Sequence, residues 1–307
     1  MEASPSAVLA RKAPFLRARA RIVAAIREFF SEAGYLEVET PHRIPAPAPE
    51  ANIDAVPSGD WYLQTSPELA MKRLLAAGYP RLVQLCRCFR EGERGGRHLP
   101  EFTMLEWYRA GADYRDLMDE TERLVRDVAR AAGVGEIAWG GHAVRLDPPW
   151  ERLTVRDAFR RHAATTPEEA LATGLFDELL VCRVEPNLGL ERPTFLHDYP
   201  VSLAALARKA PEPRVAERFE LYVAGLEVAN GFSELTDPVE QRERFVEERA
   251  VRLAAGKDPY PMPEPFLEAL EEMPEAAGIA LGVDRLVMLL TGAAWIDEVV
   301  AFTPEEL

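Results

Sequence analysis

Five charged residues in three separated segments carry the chemistry this chain can do: Arg90, Glu106, Glu227, Glu234 and Arg285. Arg90 and Glu106 lie in two strand-like apolar runs, LVQLCRCFR and EFTMLEWY, which flank a charged, glycine-rich loop from Glu91 to Leu99. Alternation puts Gln84, Cys86, Cys88 and Arg90 on one face of the first run. It puts Phe102, Met104, Glu106 and Tyr108 on one face of the second. An arginine and a carboxylate in apolar strands are costly unless each meets an opposite charge. A phosphate for Arg90 and an amine for Glu106 supply those charges, so the hairpin reads as a site for a charged substrate. The second segment, GLEVANGFSEL, holds Glu227 and Glu234. Their odd separation faces them oppositely on a straight strand, and a bulge at Asn230-Gly231 brings both to one face. In the third, GIALGVDR, glycines precede a helix whose first turn carries Arg285. Helix N-termini and arginines both favour phosphate. Two arginines and two carboxylates on separate segments describe a nucleotide–magnesium site, the arginines on phosphates and the carboxylates on the metal. Taken singly, each piece also has a purely structural reading: a satisfied strand arginine, a solvated acidic edge, a glycine kept for packing.

The elements that position these residues are legible in the periodicity. Pro14 to Ala33 repeats apolar residues at helical spacing (Leu16, Ala20, Val23, Ile26, Phe30), and Gly34 is a natural stop. Tyr35 to Thr40 alternates as a strand with Leu36 and Val38 inward, ended by Pro41. A proline-rich link runs from Pro45 to Pro57. Ser66 caps a helix that has Pro67 at its first position and Glu68 in its first turn. After the Leu82 to Tyr108 hairpin comes a long helix, Tyr114 to Ala132. Residues 133–193 carry weaker signals and read as an inserted, mostly helical region. Phe219 to Leu226 and Val228 to Leu235 are strand-like, with Asn230-Gly231 as an interruption. Asp237-Pro238 caps a helix reaching Ala255. Gly278 to Gly282 reads as a short strand and Val283 to Leu290 as a helix. Helices alternate with strands, but the central strands form hairpins. The fold class is therefore α+β, an antiparallel sheet flanked by helices rather than a doubly wound sheet.

Composition narrows the setting. The net charge of −15 disfavours non-specific nucleic-acid binding, which needs phosphate neutralisation. No apolar run reaches spanning length and the N-terminus lacks a signal-type segment, so no membrane role and a cytoplasmic location are expected. Three cysteines fit a reducing compartment, and Cys86-Arg87-Cys88 has the wrong spacing for a zinc or redox pair. Among the histidines only His98, in the charged loop, has a suggestive position.

The order and wording of the three segments add a resemblance. PEFTMLEWY, ANGFSELTD and GVDRLVMLL resemble motif 2, the acidic strand and motif 3 of class II aminoacyl-tRNA synthetases of the lysyl type. Leu16 to Pro41 resembles motif 1, which builds the dimer interface in that class and implies a homodimer. The chain begins at motif 1 with no room for the N-terminal anticodon-binding barrel, and Ala280 stands where the lysyl type usually has glycine. Both features resemble the elongation factor P–(R)-β-lysine ligase family. That resemblance implies one catalytic domain over residues 1–307 and no anticodon recognition. It also implies ATP with Mg²⁺, (R)-β-lysine as substrate and elongation factor P as acceptor.

It further implies residue roles. Arg90 stabilises the α-phosphate, and Arg285 holds the outer phosphates while Gly282 allows close approach. Glu227 and Glu234 bind Mg²⁺–ATP, with Val228 beside them, and Glu234 also meets a substrate amine. Glu91, Gly92, Glu93 and His98 form the ATP-side loop. Ser66, Pro67, Glu68, Glu106 and Tyr108 line the amino-acid pocket with Asn230 and Ala280. Gly92 replaces the glutamate expected at adenine, and Glu91 or Glu93 takes over that contact. Ala280 either selects the substrate or is tolerated packing. Two other readings share the sequence: a truncated lysyl-tRNA synthetase-like enzyme activating α-lysine for another acceptor, and a non-catalytic regulatory paralogue. Retention of Arg90, Glu227, Glu234 and Arg285 argues against the second.

Overall fold

The computed structural model describes residues 5–204, 206–212 and 214–307. The first helix, α1 (Pro5–Glu32), begins nine residues before the expected start and carries Pro14 within it. One lost backbone bond is offset by packing of Ile22, Ile26 and Phe30 in the core and by Lys12, whose Nζ lies 2.7 Å from Glu306. Gly34, at φ 74°, ends the helix. The strand expected after it shrinks to β1 (Leu36–Glu37), an edge strand parallel to the strand that begins the Leu82 hairpin, and Leu36 is 48% exposed rather than inward. β2 (Arg43–Ile44), β3 (Pro57–Ser58) and β4 (Trp61–Leu63) form a small separate sheet. Then come α2 (Glu68–Ala76), β5 (Arg81–Phe89), β6 (Glu101–Ala110) and α3 (Tyr114–Ala131), the last held by an Asp113–Asp116 capping box.

Residues 133–193 are not mostly helical. They open on a hairpin, β7 (Glu136–Trp139) and β8 (His142–Arg145), and on β9 (Glu151–Thr154), which joins the main sheet. Short helices follow: α4 (Val155–His162), α5 (Pro167–Ala172) and α6 (Phe176–Leu179). The strands are only four residues long, too short for alternation to stand out.

β10 (Thr194–Pro200), β11 (Val215–Val223) and β12 (Leu226–Ser233) complete one half of the sheet. Ala224 and Gly225, both at positive φ, make the two-residue turn between β11 and β12. Asn230-Gly231, read from sequence as an interruption, lies inside β12 and is paired on both sides. α7 (Pro238–Ala254), α8 (Glu264–Ala269), β13 (Ala276–Gly282) and α9 (Val283–Thr291) finish the fold.

The main sheet has the order β1-β5-β6-β13-β12-β11-β10-β9. Its central pairings are antiparallel, and only the edge pairs β1–β5 and β9–β10 are parallel. α1, α3 and α9 cover one face and bury a core that includes Leu105, Trp107 and Val287. The other face carries the polar residues and stays open as a cavity.

Asp284, in the first turn of α9, ties α1 to β6. It is 2% exposed, takes the Thr103 backbone N–H at 2.7 Å and meets Arg19 Nη1 of α1 at 2.5 Å. Arg19→Ala leaves that carboxylate buried and unmatched. The expected cost, discounted for the partial exposure of Arg19, is about 2 kcal/mol, measurable by urea unfolding.

Candidate active site

Sheet register builds the site. One row runs straight across five strands through Glu220, Asn230, Ala280, Glu106 and Gln84, which are successive cross-strand partners. The next row on the same face holds Arg218, Phe232, Gly278, Tyr108 and Leu82. Partners in register share a face, so residues far apart in sequence meet on one surface. Above it lies a cavity of about 760 Å³.

One end of the cavity is cationic. Arg90 lies beside Phe102 with its guanidinium 5.1 Å from the ring centroid, and Glu93 Oε1 is 3.7 Å away. Its Nε is buried and has no acceptor in the protein. Arg285 reaches the same space, donating to the Glu227 carbonyl at 2.9 Å and lying 3.3 Å from Glu227 Oε2. Its Nη2 stands 2.5 Å from His98 Nε2. Burial and the Arg285 charge hold His98 below its ordinary value, which keeps the ring neutral beside the guanidinium. Of the two loop carboxylates, Glu93 lines the cavity and Glu91 does not. Gly92 sits at φ 75° and so serves the turn. A side chain at Gly282 would meet only ordinary contacts, with Arg285 Cδ at 3.7 Å and the Val228 carbonyl at 3.8 Å. The protein's own packing does not require that glycine. It borders open cavity.

The other end is anionic. Ser66, the residue before the cap rather than the cap itself, accepts the Glu68 N–H at 3.0 Å and donates to Glu106 Oε2 at 2.9 Å. Pro67 is buried behind it and shapes the start of α2 without lining the cavity. Tyr108 donates to Glu106 Oε1 at 2.5 Å. Glu234 ion-pairs with Lys72, and Lys72 also lies 2.5 Å from Glu68. Apart from Lys72, neither oxygen of Glu234 has a donor. Burial first, with the charge of Glu68 adding and Lys72 opposing, lifts Glu106 and Glu234 to about 8. For Lys72, burial works downward, but Glu234 and Glu68 outweigh it and hold the ammonium charged. Among the described residues, three carboxylates thus face one cation, Lys72. Gly278 forms the floor, where an added methyl would overlap Tyr108 Cε1 and Glu234 Oε1.

Glu227 and Glu234, expected to share one metal, are separated. A β-bulge does exist in β12, but it falls at Val228, where Leu221 pairs with Ala229 and Tyr222 with Glu227. It turns Glu227 onto the face of Asn230. Glu227 then answers to Glu220 and Arg285, while Glu234 answers to Lys72, Glu68 and Glu106. About 20 Å of strand separates the two positions, beyond the reach of one ion. The carboxylate neighbouring Glu227 is Glu220, held by the Tyr199 and Tyr222 hydroxyls at 2.6 Å and by Arg218 at 2.5 Å. Burial, then Glu220, pushes Glu227 up, although water reaches 39% of its side chain through the cavity. A carboxylate pushed up by a neighbouring carboxylate suits a divalent cation. No group of three or more His, Cys, Asp or Glu placed to hold a metal occurs among the described residues.

Sequence reasoning missed Lys72, Glu220 and Arg218. Lys72 is four residues after Glu68 on a helix, a readable ion-pair spacing. Glu220 and Arg218 carried no local signal, since only β11–β12 pairing brings them to the site. Cys86 and Cys88 are buried, free, and 3.9 Å apart between their sulfurs, packed with Met104 beneath Ala280. They lie on one strand face, as alternation places them. No helix among the described residues is long and apolar enough to cross a membrane.

Comparison with known proteins agrees with this geometry. Residues 8–306 match the family of class II tRNA synthetases (D, K and N). The chain is 42% identical to the elongation factor P–(R)-β-lysine ligase of Erwinia tasmaniensis over 97% of its length and 96% of the relative's. The ligase of the same name from Salmonella gallinarum is also 42% identical, over 94% of this chain and 95% of its own. An eight-stranded mixed sheet with a cationic and an anionic end on one face, and similarity to these proteins over nearly the whole chain, place it in the class II tRNA synthetase family, among the elongation factor P–(R)-β-lysine ligases.

Proposed function

We propose that the protein activates (R)-β-lysine with ATP and transfers it to a lysine side chain of elongation factor P in the cytoplasm. The observation that carries this reading is one cavity joining an arginine whose buried Nε lacks an acceptor to a carboxylate cluster short of cations. A triphosphate satisfies the first end and a diamino acid the second. Relatives that share the chain's full length carry the ligase name.

ATP would lie with its base near Phe102 and Glu93 and its phosphates against Arg90 and Arg285. The substrate amines would meet Glu106, Glu234 and Glu68, with Tyr108 and Ser66 fixing Glu106. Glu227 and Glu220 would hold Mg²⁺, which supplies charge neutralisation at the phosphates. The substrate carboxylate then attacks the α-phosphorus, the α–β phosphoanhydride bond breaks and pyrophosphate leaves, with Arg90 stabilising the charge that develops. A neutral lysine amine of the acceptor attacks the resulting mixed anhydride and AMP departs. Leu36, exposed on the edge strand after α1, fits a homodimer formed through this segment.

ATP–pyrophosphate exchange with (R)-β-lysine and α-lysine side by side, followed by transfer to elongation factor P or tRNA, tests the reading. Stronger activation of α-lysine, or charging of tRNA, would sink it. Ala280 stands in register between Asn230 and Glu106, so its methyl projects onto the substrate face. Ala280→Gly is expected to shift preference toward α-lysine by about 1–3 kcal/mol, read as the ratio of kcat/KM values. An unchanged ratio would make Ala280 packing alone.

A further inference from the structure

Helix α7 presents Gln241, Phe245 and Glu248 to the cavity at helical spacing, with Glu243 and Glu247 beside them at the rim. Phe245 packs in the apolar cluster that holds Tyr108 and Met71, so the helix borders the amino-acid end. Gln241 is 1% exposed, yet neither its Nε2 nor its Oε1 has a hydrogen-bond partner. A buried primary amide with both groups idle is costly. Its position on the cavity wall lets an incoming molecule satisfy it. At the rim, Glu240 is matched internally by Lys209 at 2.9 Å and Arg244 at 2.6 Å. Glu243 and Glu247 are exposed and make no ion pair among the described residues. Glu248 takes the Ala51 N–H at 2.7 Å and so fixes the neighbouring Glu50 against the same wall. Burial, then Glu68, pushes the Glu50 carboxyl up to about 7, a further sign that negative charge here exceeds its compensation.

The two small substrates already have their complements elsewhere, at Arg90 and Arg285 and at Glu106 and Glu234. The acidic wall is left for the third reactant. We propose that this face of α7 docks the lysine-bearing segment of the acceptor protein, Glu243 and Glu247 attracting its cationic surface and Gln241 hydrogen-bonding the side chain that enters. A neutral amide inside suits the chemistry, because a carboxylate there would hold the acceptor as unreactive ammonium. The same wall repels a polyanionic acceptor such as tRNA. This assignment rests on the ligase reading and adds to it the surface that recognises the acceptor.

The test separates the two half-reactions in the full chain. Glu243→Gln/Glu247→Gln is expected to raise the KM for purified elongation factor P about tenfold at low salt, with the difference shrinking as ionic strength rises. Pyrophosphate exchange with (R)-β-lysine should keep its wild-type KM. Gln241→Met, which keeps the volume and removes the amide, should slow transfer with exchange retained. An unchanged acceptor KM in the double variant overturns the docking surface while leaving the ligase reading intact. So does a parallel loss of exchange, which would assign α7 to the amino acid. Wild-type enzyme that exchanges pyrophosphate but modifies no elongation factor P overturns the acceptor reading and this surface with it.

Discussion

Arg90→Ala is expected to lower the rate of ATP–pyrophosphate exchange by about 10²–10³-fold while leaving the fold intact. The asymmetry comes from how little the protein itself asks of this side chain. Its Nε has no acceptor, its nearest carboxylate is 3.7 Å away, and its remaining contact is the Phe102 face at 5.1 Å. The backbone N–H donation to Pro100 at 2.9 Å survives the substitution. What disappears is the donor set aimed at charge that develops on phosphorus, an interaction strongest in the transition state. The loss should therefore appear in kcat far more than in the KM for ATP. Arg90→Lys should recover little, because a point-like ammonium cannot reproduce the planar fork that the pocket presents. A loss below tenfold in Arg90→Ala, with melting temperature unchanged, would remove Arg90 from the reaction.

Glu234→Gln should raise the KM for the amino acid by roughly 2–5 kcal/mol of lost binding, with the KM for ATP nearly unchanged. Glu234 is 1% exposed, and its neutral isostere fits the same space against Lys72 and Tyr108. The pH dependence sharpens this expectation. Burial raises Glu106 and Glu234 from 4.5 to about 8, so the free enzyme holds protons there that a denatured chain has released. The sign follows from that difference. A carboxyl with a raised folded pKa binds more protons folded than unfolded, so the stability it confers is full below about 4.5 and is lost as pH climbs towards about 8. A substrate ammonium reverses the balance by favouring the carboxylate. Amino-acid affinity should therefore rise between pH 6 and 8, and the substrate should raise the melting temperature more at pH 8 than at pH 6. In Glu234→Gln both slopes should flatten. Equal substrate stabilisation at the two pH values in the wild-type protein would show that these carboxylates do not receive the amine.

Local chemistry and periodicity carried much of this protein into view from the sequence. The faces of the Leu82–Tyr108 hairpin follow from alternation alone, and the pairing of Gln84 with Glu106 and Cys86 with Met104 agrees with it. The α+β class, the antiparallel centre and the helices at Tyr114 and Pro238 follow from the same signals. Motif wording brought Arg90, Glu106, Tyr108 and Arg285 to one site, because those residues sit at fixed offsets within short segments. The sequence left both Glu91 and Glu93 as candidates, and only Glu93, after the positive φ of Gly92, lines the cavity.

Pairings across long sequence separations were decided only by the tertiary structure. Periodicity reports which face a residue takes within one strand. It carries no information on which strand lies beside it or where a bulge resets the register. The bulge at Val228 turns Glu227 onto the face of Asn230, where its neighbours are Glu220 and Arg285, while the strand's length carries Glu234 to Lys72. The row from Glu220 through Ala280 to Gln84 joins five strands that no local pattern aligns. Gly278 looked like one more glycine before a helix until Tyr108 and Glu234 closed around it. The sequence by itself determined the charges its motifs carry, Arg90, Glu106, Glu227, Glu234 and Arg285, but not Lys72, Glu220 or Arg218. The sheet register, a property of paired strands rather than of any one of them, decided which end of the cavity each charge serves.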